Sequence, residues 1–189
     1  MSLDAGFDAQ VPSLPQGGGA VSGLGETFSP DLSSGTGSYR IPLDIPNGPN
    51  DIGPRLSLSY GTASGNGAFG IGFGLSPMPR LLRSTADGFP RYDDTDTLVL
   101  EGVGELARLG SGAFRPRVDA GAWRANASGA GFQATDREGL VYSFGLDAAA
   151  RLTGSGADAG KVFAWHLQRI EDALGNAATF TWSGDGNQL

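Results

Sequence analysis

The feature that most constrains this chain is a series of short period-two stretches, each cut off by glycine or proline. "SYRIPLDIP" places Tyr39, Ile41, Leu43 and Ile45 on one face, and "RLSLSY" does the same with Leu56, Leu58 and Tyr60. Alternation at period two is the signature of a pleated strand, since successive side chains point to opposite faces. The chain holds 32 Gly and 11 Pro among 189 residues, so these stretches cannot run on into long helices. Ten Phe, four Tyr and three Trp set it apart from a disordered low-complexity chain. The reading is an all-β fold of many short antiparallel strands and hairpins, a sandwich or a curved shell-like sheet.

The stretch "GNGAFGIGFGLS" tests that reading. Gly65, Gly67 and Gly70 fit G-x-G-x-x-G, the spacing of a dinucleotide-binding turn. That turn needs a helix opening on it, so that the helix N-terminus meets the pyrophosphate. Here the next residues include Gly72, Gly74, Pro77 and Pro79, which cannot begin a helix. Phe69, Ile71, Phe73 and Leu75 instead alternate with glycine. This predicts a strand with one bulky apolar face and one bare face that a ring or another backbone can approach.

Residues 1–37 are rich in Pro, Gly and Ser and read as an extended N-terminal arm, not a strand-forming unit, with Val21, Leu24 and Phe28 as apolar pins. Residues 38–189 read as the all-β domain. Pro42 predicts that the first strand is an edge strand or carries a bulge. "PRLLRST", "FRPRVD" and "AWRAN" supply short strands. "TLVLEGVGELARLG" and "GFQATDREGLVYSFG" read as hairpins, the second turning at "DREG". A one-turn helix in "ELARL" is the alternative there. "AAARLTGSGADAG" reads as a flexible connection. "KVFAWHLQRIEDALGNAATFTW" is the clearest hairpin, with Gly175-Asn176 suited to the turn. Its aromatic face calls for a further covering layer, so the chain is expected to be part of a longer polypeptide.

Charge and composition narrow the function. A net charge of −7 with Lys161 as the single lysine argues against nucleic-acid binding. No apolar run reaches the length of a membrane helix. The first ten residues lack the apolar core of a Sec signal peptide. The absence of cysteine removes disulfides and thiol chemistry. Asn126-Ala127-Ser128 is a glycosylation sequon by pattern only.

Candidate site residues are few. Asp93, Asp94 and Asp96 in "RYDDTD" have the spacing of a loop that could ligate Ca²⁺, although the full EF-hand pattern is absent. The competing reading is a turn whose Asp side chains bond nearby backbone N–H groups. His166 is the sole histidine, in mid-strand, and reads as structural. Glu26, Glu101, Glu105, Glu138 and Glu171 are scattered and do not suggest a glycosidase pair. Trp123, Trp165 and Trp182 could form a sugar-binding platform, but alternate with polar residues as core residues do. No catalytic residue and no cofactor is assigned.

Four ordered motifs carry a family resemblance. The first is Leu14 to Ala20 (Leu-Pro-x-Gly-Gly-Gly-Ala), followed by Gly23 to Phe28 and by Gly35 to Ser38. The second is "GPRLSLSYGTASGNGAFGIGFGLS", the third "GFPRYDDTDTLVLEGVGEL", and the fourth the repeat-like "WHLQRIEDALGNAATFTW". Together they resemble the N-terminal region of the SpvB family, which includes the B components of insecticidal Tc toxin complexes and is related to YD/Rhs repeats. Phe73 departs from the pattern, standing where Trp is common, as do Ala177 and Ala178, where a β-branched residue is usual. The resemblance implies a non-enzymatic structural module of a secreted toxin, made in the cytoplasm before export. Such a module contributes to a β-shell that encloses or presents a toxic C-terminal domain. Its partners would be the rest of the toxin polypeptide and other toxin-complex subunits. The alternative is a stand-alone β-sandwich binding module for carbohydrate or a cell-surface protein.

Overall fold

A computed structural model describes residues 27–31, 35–67, 69–118 and 121–183. The arm motif, with Val21, Leu24 and Glu26, lies outside the described residues. Strands β1 (Thr27–Asp31), β2 (Thr36–Pro42) and β3 (Ser57–Gly61) come first. Two-residue strands β4 (Asn66–Gly67) and β5 (Gly70–Ile71) follow, then β6 (Phe73–Ser76) and β7 (Arg80–Arg83). Next are β8 (Leu98–Leu100), β9 (Gly104–Gly110), β10 (Ala113–Pro116), β11 (Arg124–Ser128), β12 (Gly131–Thr135) and β13 (Val141–Phe144). The last are β14 (Arg151–Thr153), β15 (Val162–Glu171) and β16 (Ala177–Thr179). Helical structure among the described residues is limited to three 3-10 turns.

The all-β reading holds, and its form is more specific than a sandwich or an open shell. Strands β7 to β13 follow one another as an antiparallel meander, and β15 closes it by pairing with both β13 and β7. The result is a closed eight-stranded antiparallel barrel. Closure depends on the length of β15. Its first half places Ala164 opposite Leu82, while its second half places Leu167 opposite Phe144 on the other edge. β14 and β16 lie beside the remaining stretches of those two edges. A closed barrel leaves no run of unpaired backbone groups along its strands.

The period-two positions become the barrel interior. Leu98 and Leu100, Phe132 and Ala134, and Trp165 and Leu167 are each two apart, and all point into the buried cluster. Leu81, Leu106, Phe114, Ala125 and Phe144 complete it, so every barrel strand contributes. Phe132 meets Trp165 edge-on at 4.8 Å between ring centroids, a favoured aromatic geometry. The Trp165 indole N–H donates to the Ala130 carbonyl at 3.0 Å. Gly145 sits at φ +61, and a Cβ there would collide with the Trp165 ring. The ring is seated where only glycine leaves room.

β1, β2, β3 and β6 form a separate four-stranded antiparallel sheet. Three expectations change here and in the barrel, and one alternative is set aside. Thr27–Asp31, within the stretch read as a non-strand arm, pairs along β2 from Arg40 to Thr36. β2 is consequently an inner strand. Pro42 is its last residue, beyond Arg40, where the described pairing with β1 ends, so its missing N–H interrupts no described β1–β2 bond. "ELARL" lies within β9, so the helical alternative is not adopted. "AAARLTGSGADAG" is a structured connection that carries β14 between two 3-10 turns.

The glycine-alternating stretch is broken rather than continuous. β4 and β5 form a tiny hairpin, and β6 resumes after Gly72, whose φ is +81. The bare-face argument holds at Gly72, where a Cβ would lie 2.5 Å from the Tyr60 ring. It fails at Gly70 and Gly74, which face open space. The bulky face is not buried either. Phe69 is 57% exposed and Ile71 78%.

Candidate functional site

One end of the barrel opens into a cavity of about 770 Å³. Its floor is the top of the core, Leu100, Phe144 and Leu167, and its walls include Val103, Trp123, Tyr142, Ile170 and Phe180. Two proline-bearing straps line it: residues 50–55, between β2 and β3, and residues 75–79, from the end of β6 to the start of β7. The first strap is shaped locally. The Gly48 N–H donates to the Ile52 carbonyl at 2.7 Å, and Asn50 and Asp51 both adopt φ near +58, a region that Asn and Asp enter more readily than most residues. The strap is tied to the barrel by the Asn50 side-chain amide, which donates to Asp172 at 2.9 Å across 122 residues of sequence.

The ionisable groups on the cavity wall are engaged within the protein. Asp172 accepts from the Asn176 side chain and from Asn50, and from the backbone N–H groups of Leu174 and Asn176. These hydrogen bonds, that of the Asn176 amide foremost, hold its carboxyl down at about 2. Burial, reinforced by the nearby Asp136 carboxylate that accepts its hydrogen bond, pushes the Tyr142 hydroxyl up to about 12. Glu101 is clamped by Arg80 through several hydrogen bonds of 2.6–3.2 Å. Asp51 accepts from Arg55 at 2.7 Å. None of these groups has the arrangement of a nucleophile beside a base, or of a carboxyl held ready near neutral pH.

The residues singled out from sequence are not brought together. The Asp96 side chain is only 7% exposed, and that burial pushes its carboxyl up. The N–H groups of Arg91 and Tyr92 and the Arg83 guanidinium outweigh that effect and hold it below the ordinary carboxylate range. Asp93 accepts from the hydroxyl and N–H of Thr95, and Asp94 pairs with Arg108 at 3.0 Å. Among the described residues no group of three or more His, Cys, Asp or Glu is placed to hold a metal ion. His166 faces away from the core and packs against Trp182 at 4.2 Å between centroids. Burial, and then the Arg80 charge, lower its pKa, and its Nδ1 has no hydrogen-bond partner. Trp165 lies inside the barrel and Trp123 packs on Tyr142 at the cavity, so the three tryptophans do not line up as a platform. Among the described residues no helix opens near Gly65, Gly67 and Gly70.

The cavity was not legible in the sequence. Its walls come from segments far apart in the chain. The only local signal was the Asp172-to-Asn176 turn, whose second role, holding Asn50, is a tertiary contact.

The described part of the chain is thus a closed barrel, an open four-stranded sheet and a cavity whose charged groups are paired within the protein. Residues 32–120 match the family model described as SpvB, Salmonella virulence plasmid 65kDa B protein. The SpvB-family resemblance carried by the motifs is thereby shown, and it is matched by relatives and by solved folds. The chain is 30% identical over an alignment of 172 residues to Mono(ADP-ribosyl)transferase SpvB of Salmonella choleraesuis (strain SC-B67), covering 75% of this chain and 28% of that protein. It thus spans little more than a quarter of the length of the curated relatives it matches. The crystal structure of TcdB2-TccC3 superposes with TM-score 0.65 at 25% identity, over 87% of this chain and 9% of that one. The N-terminal domain of effector protein SpvB from Salmonella typhimurium strain LT2 shares the fold, with TM-score 0.57 and 23% identity over 70% of this chain and 50% of that one. Among the described residues no helix is long and apolar enough to cross a membrane.

Proposed function

We propose that this chain is a non-catalytic structural module of a bacterial toxin of the SpvB/Tc-B type. It contributes to a β-shell that encapsulates or presents a toxic C-terminal domain for delivery. The observation that carries this reading is the superposition on TcdB2-TccC3, where 87% of this chain corresponds to 9% of a far longer one. A barrel that closes on its own core can be one building block within such a chain. The exposed apolar residues of the separate sheet and of the small hairpin beside it, Phe73 in the first and Phe69 and Ile71 in the second, supply surface for neighbouring parts of the same polypeptide. The transferase activity in the relatives' names belongs to proteins of which this chain matches 28%, and this module carries none of it. Its partners are the rest of the toxin polypeptide and other toxin-complex subunits, and the assembled product is exported.

The test is protection. The full gene product and a version lacking these 189 residues are each exposed to a protease, and survival of the C-terminal segment is followed. Protection only in the full product is expected. Equal protection in both would refute the shell role. A specific hit for the isolated module on a glycan array would instead favour a carbohydrate-binding module.

A further inference from the structure

The cavity at the barrel end combines three properties that point to a ligand class. Its volume of about 770 Å³ lies within the range of sites that enclose small molecules, and barrel mouths are a common place for such sites. Its inner surface is aromatic and aliphatic: Val103, Trp123, Phe144, Ile170 and Phe180 face it, with Leu75 from the second strap. The charged groups at its rim are already partnered, Asp172 by Asn50 and Asn176, Glu101 by Arg80, and Arg55 by Asp51. An occupant with buried hydrogen-bonding groups would therefore leave them unsatisfied, at a cost that a hydrocarbon or aryl group does not incur. The same argument disfavours a polypeptide that brings its backbone into the cavity, since its amides must be paired.

We propose that this cavity is a binding site for an apolar small molecule of aryl or alkyl character, held beneath the strap that Asn50 ties to Asp172. The barrel core seats the guest from below, and the strap closes over it.

The probe is the neutral fluorophore N-phenyl-1-naphthylamine, titrated into the 189-residue chain. Saturable one-to-one binding with enhanced probe emission is expected. Val103→Trp and Leu75→Trp, which fill the cavity from two different elements, should each weaken binding at least tenfold. Ile71→Ser and Phe89→Ser, which remove exposed apolar groups elsewhere, should leave it within twofold. Methyl chemical shifts in the unsubstituted chain give a readout that needs no variant to fold. Shifts at Val103, Ile170 and Leu75 support the site, while shifts confined to Ile71 or Leu174 overturn it. Non-saturable binding, or equal binding by a folded cavity-filled variant, also overturns it. So does a lack of probe binding accompanied by concentration-dependent dimerisation, which would make a second chain the occupant.

Discussion

The barrel and the four-stranded sheet come from the same kind of sequence, yet only one of them buries what its pattern offers. In the barrel, alternate residues from all eight strands converge on one interior, and Leu81, Leu100, Phe144 and Leu167 are almost wholly buried. In the sheet and its connections, Leu43, Ile45, Phe69, Ile71 and Phe73 remain exposed. The barrel also exposes large apolar residues, such as Phe89 and Leu174, but these stand singly on its loops. Alternation creates an apolar face without supplying its cover. A sheet that curls on itself supplies the cover internally, and an open sheet must find it elsewhere.

The sharpest way to break this comparison is to hollow the barrel. Phe144→Ala removes a fully buried ring and should cost about 3–5 kcal/mol in urea denaturation. A loss under 1 kcal/mol would mean that the barrel is not the stability core.

Next is the clasp that binds the loop before β8 to the barrel. Arg83, with its side chain 15% exposed, pairs with Asp96, 7% exposed, at 2.6 Å. Arg83 also donates to the Val162 and Asp93 carbonyls. Asp96→Ala removes the carboxylate that pairs with a part-buried guanidinium and leaves two backbone donors, those of Arg91 and Tyr92, without their acceptor, and should cost about 3 kcal/mol by the same measurement. Because Arg83 already neutralises Asp96, a chelator should leave the Tm unchanged. A Tm that rises with added Ca²⁺ would restore the cation reading of Asp93, Asp94 and Asp96.

A smaller effect is expected in acid. Asp172 titrates at about 2 in the fold against an ordinary 3.8, so the folded state favours its carboxylate. Its contribution is complete above pH about 4 and is lost as pH falls toward 2. Asn50→Ala removes one side-chain donor and should narrow that window. Acid titrations monitored by tryptophan emission would detect the change, and identical curves would dismiss the strap as a stabilising tie.

The smallest change is expected at the sheet tip. Ile71→Ser should shift stability by no more than about 0.5 kcal/mol, since the side chain is already in water. A loss comparable with Phe144→Ala would show that the tip is covered in solution, and the contrast between the two regions would disappear.

Most strands were legible in the sequence because period two is a local property. "TLVL" with "ELARL", "GFQAT" with "VYSF", and "WHLQRIE" with "AAT" all pair as their patterns implied. The glycine-rich stretch was only partly legible. Its alternation marked strand structure, but not the positive φ at Gly70 and Gly72 that breaks it. The aspartates were legible as turn formers. Whether they converged on an ion depended on where Arg83 and Arg108 would lie.

By itself the sequence determined the all-β class, the principal hairpins and the family resemblance, because each rests on residues close together in the chain. Tertiary structure alone decided that β15 would be long enough to join β7 to β13, that the barrel would close, and that two distant straps would roof a cavity. Those outcomes depend on which strand edges meet after collapse, and period-two alternation specifies a face for burial but not the edge that will pair beside it.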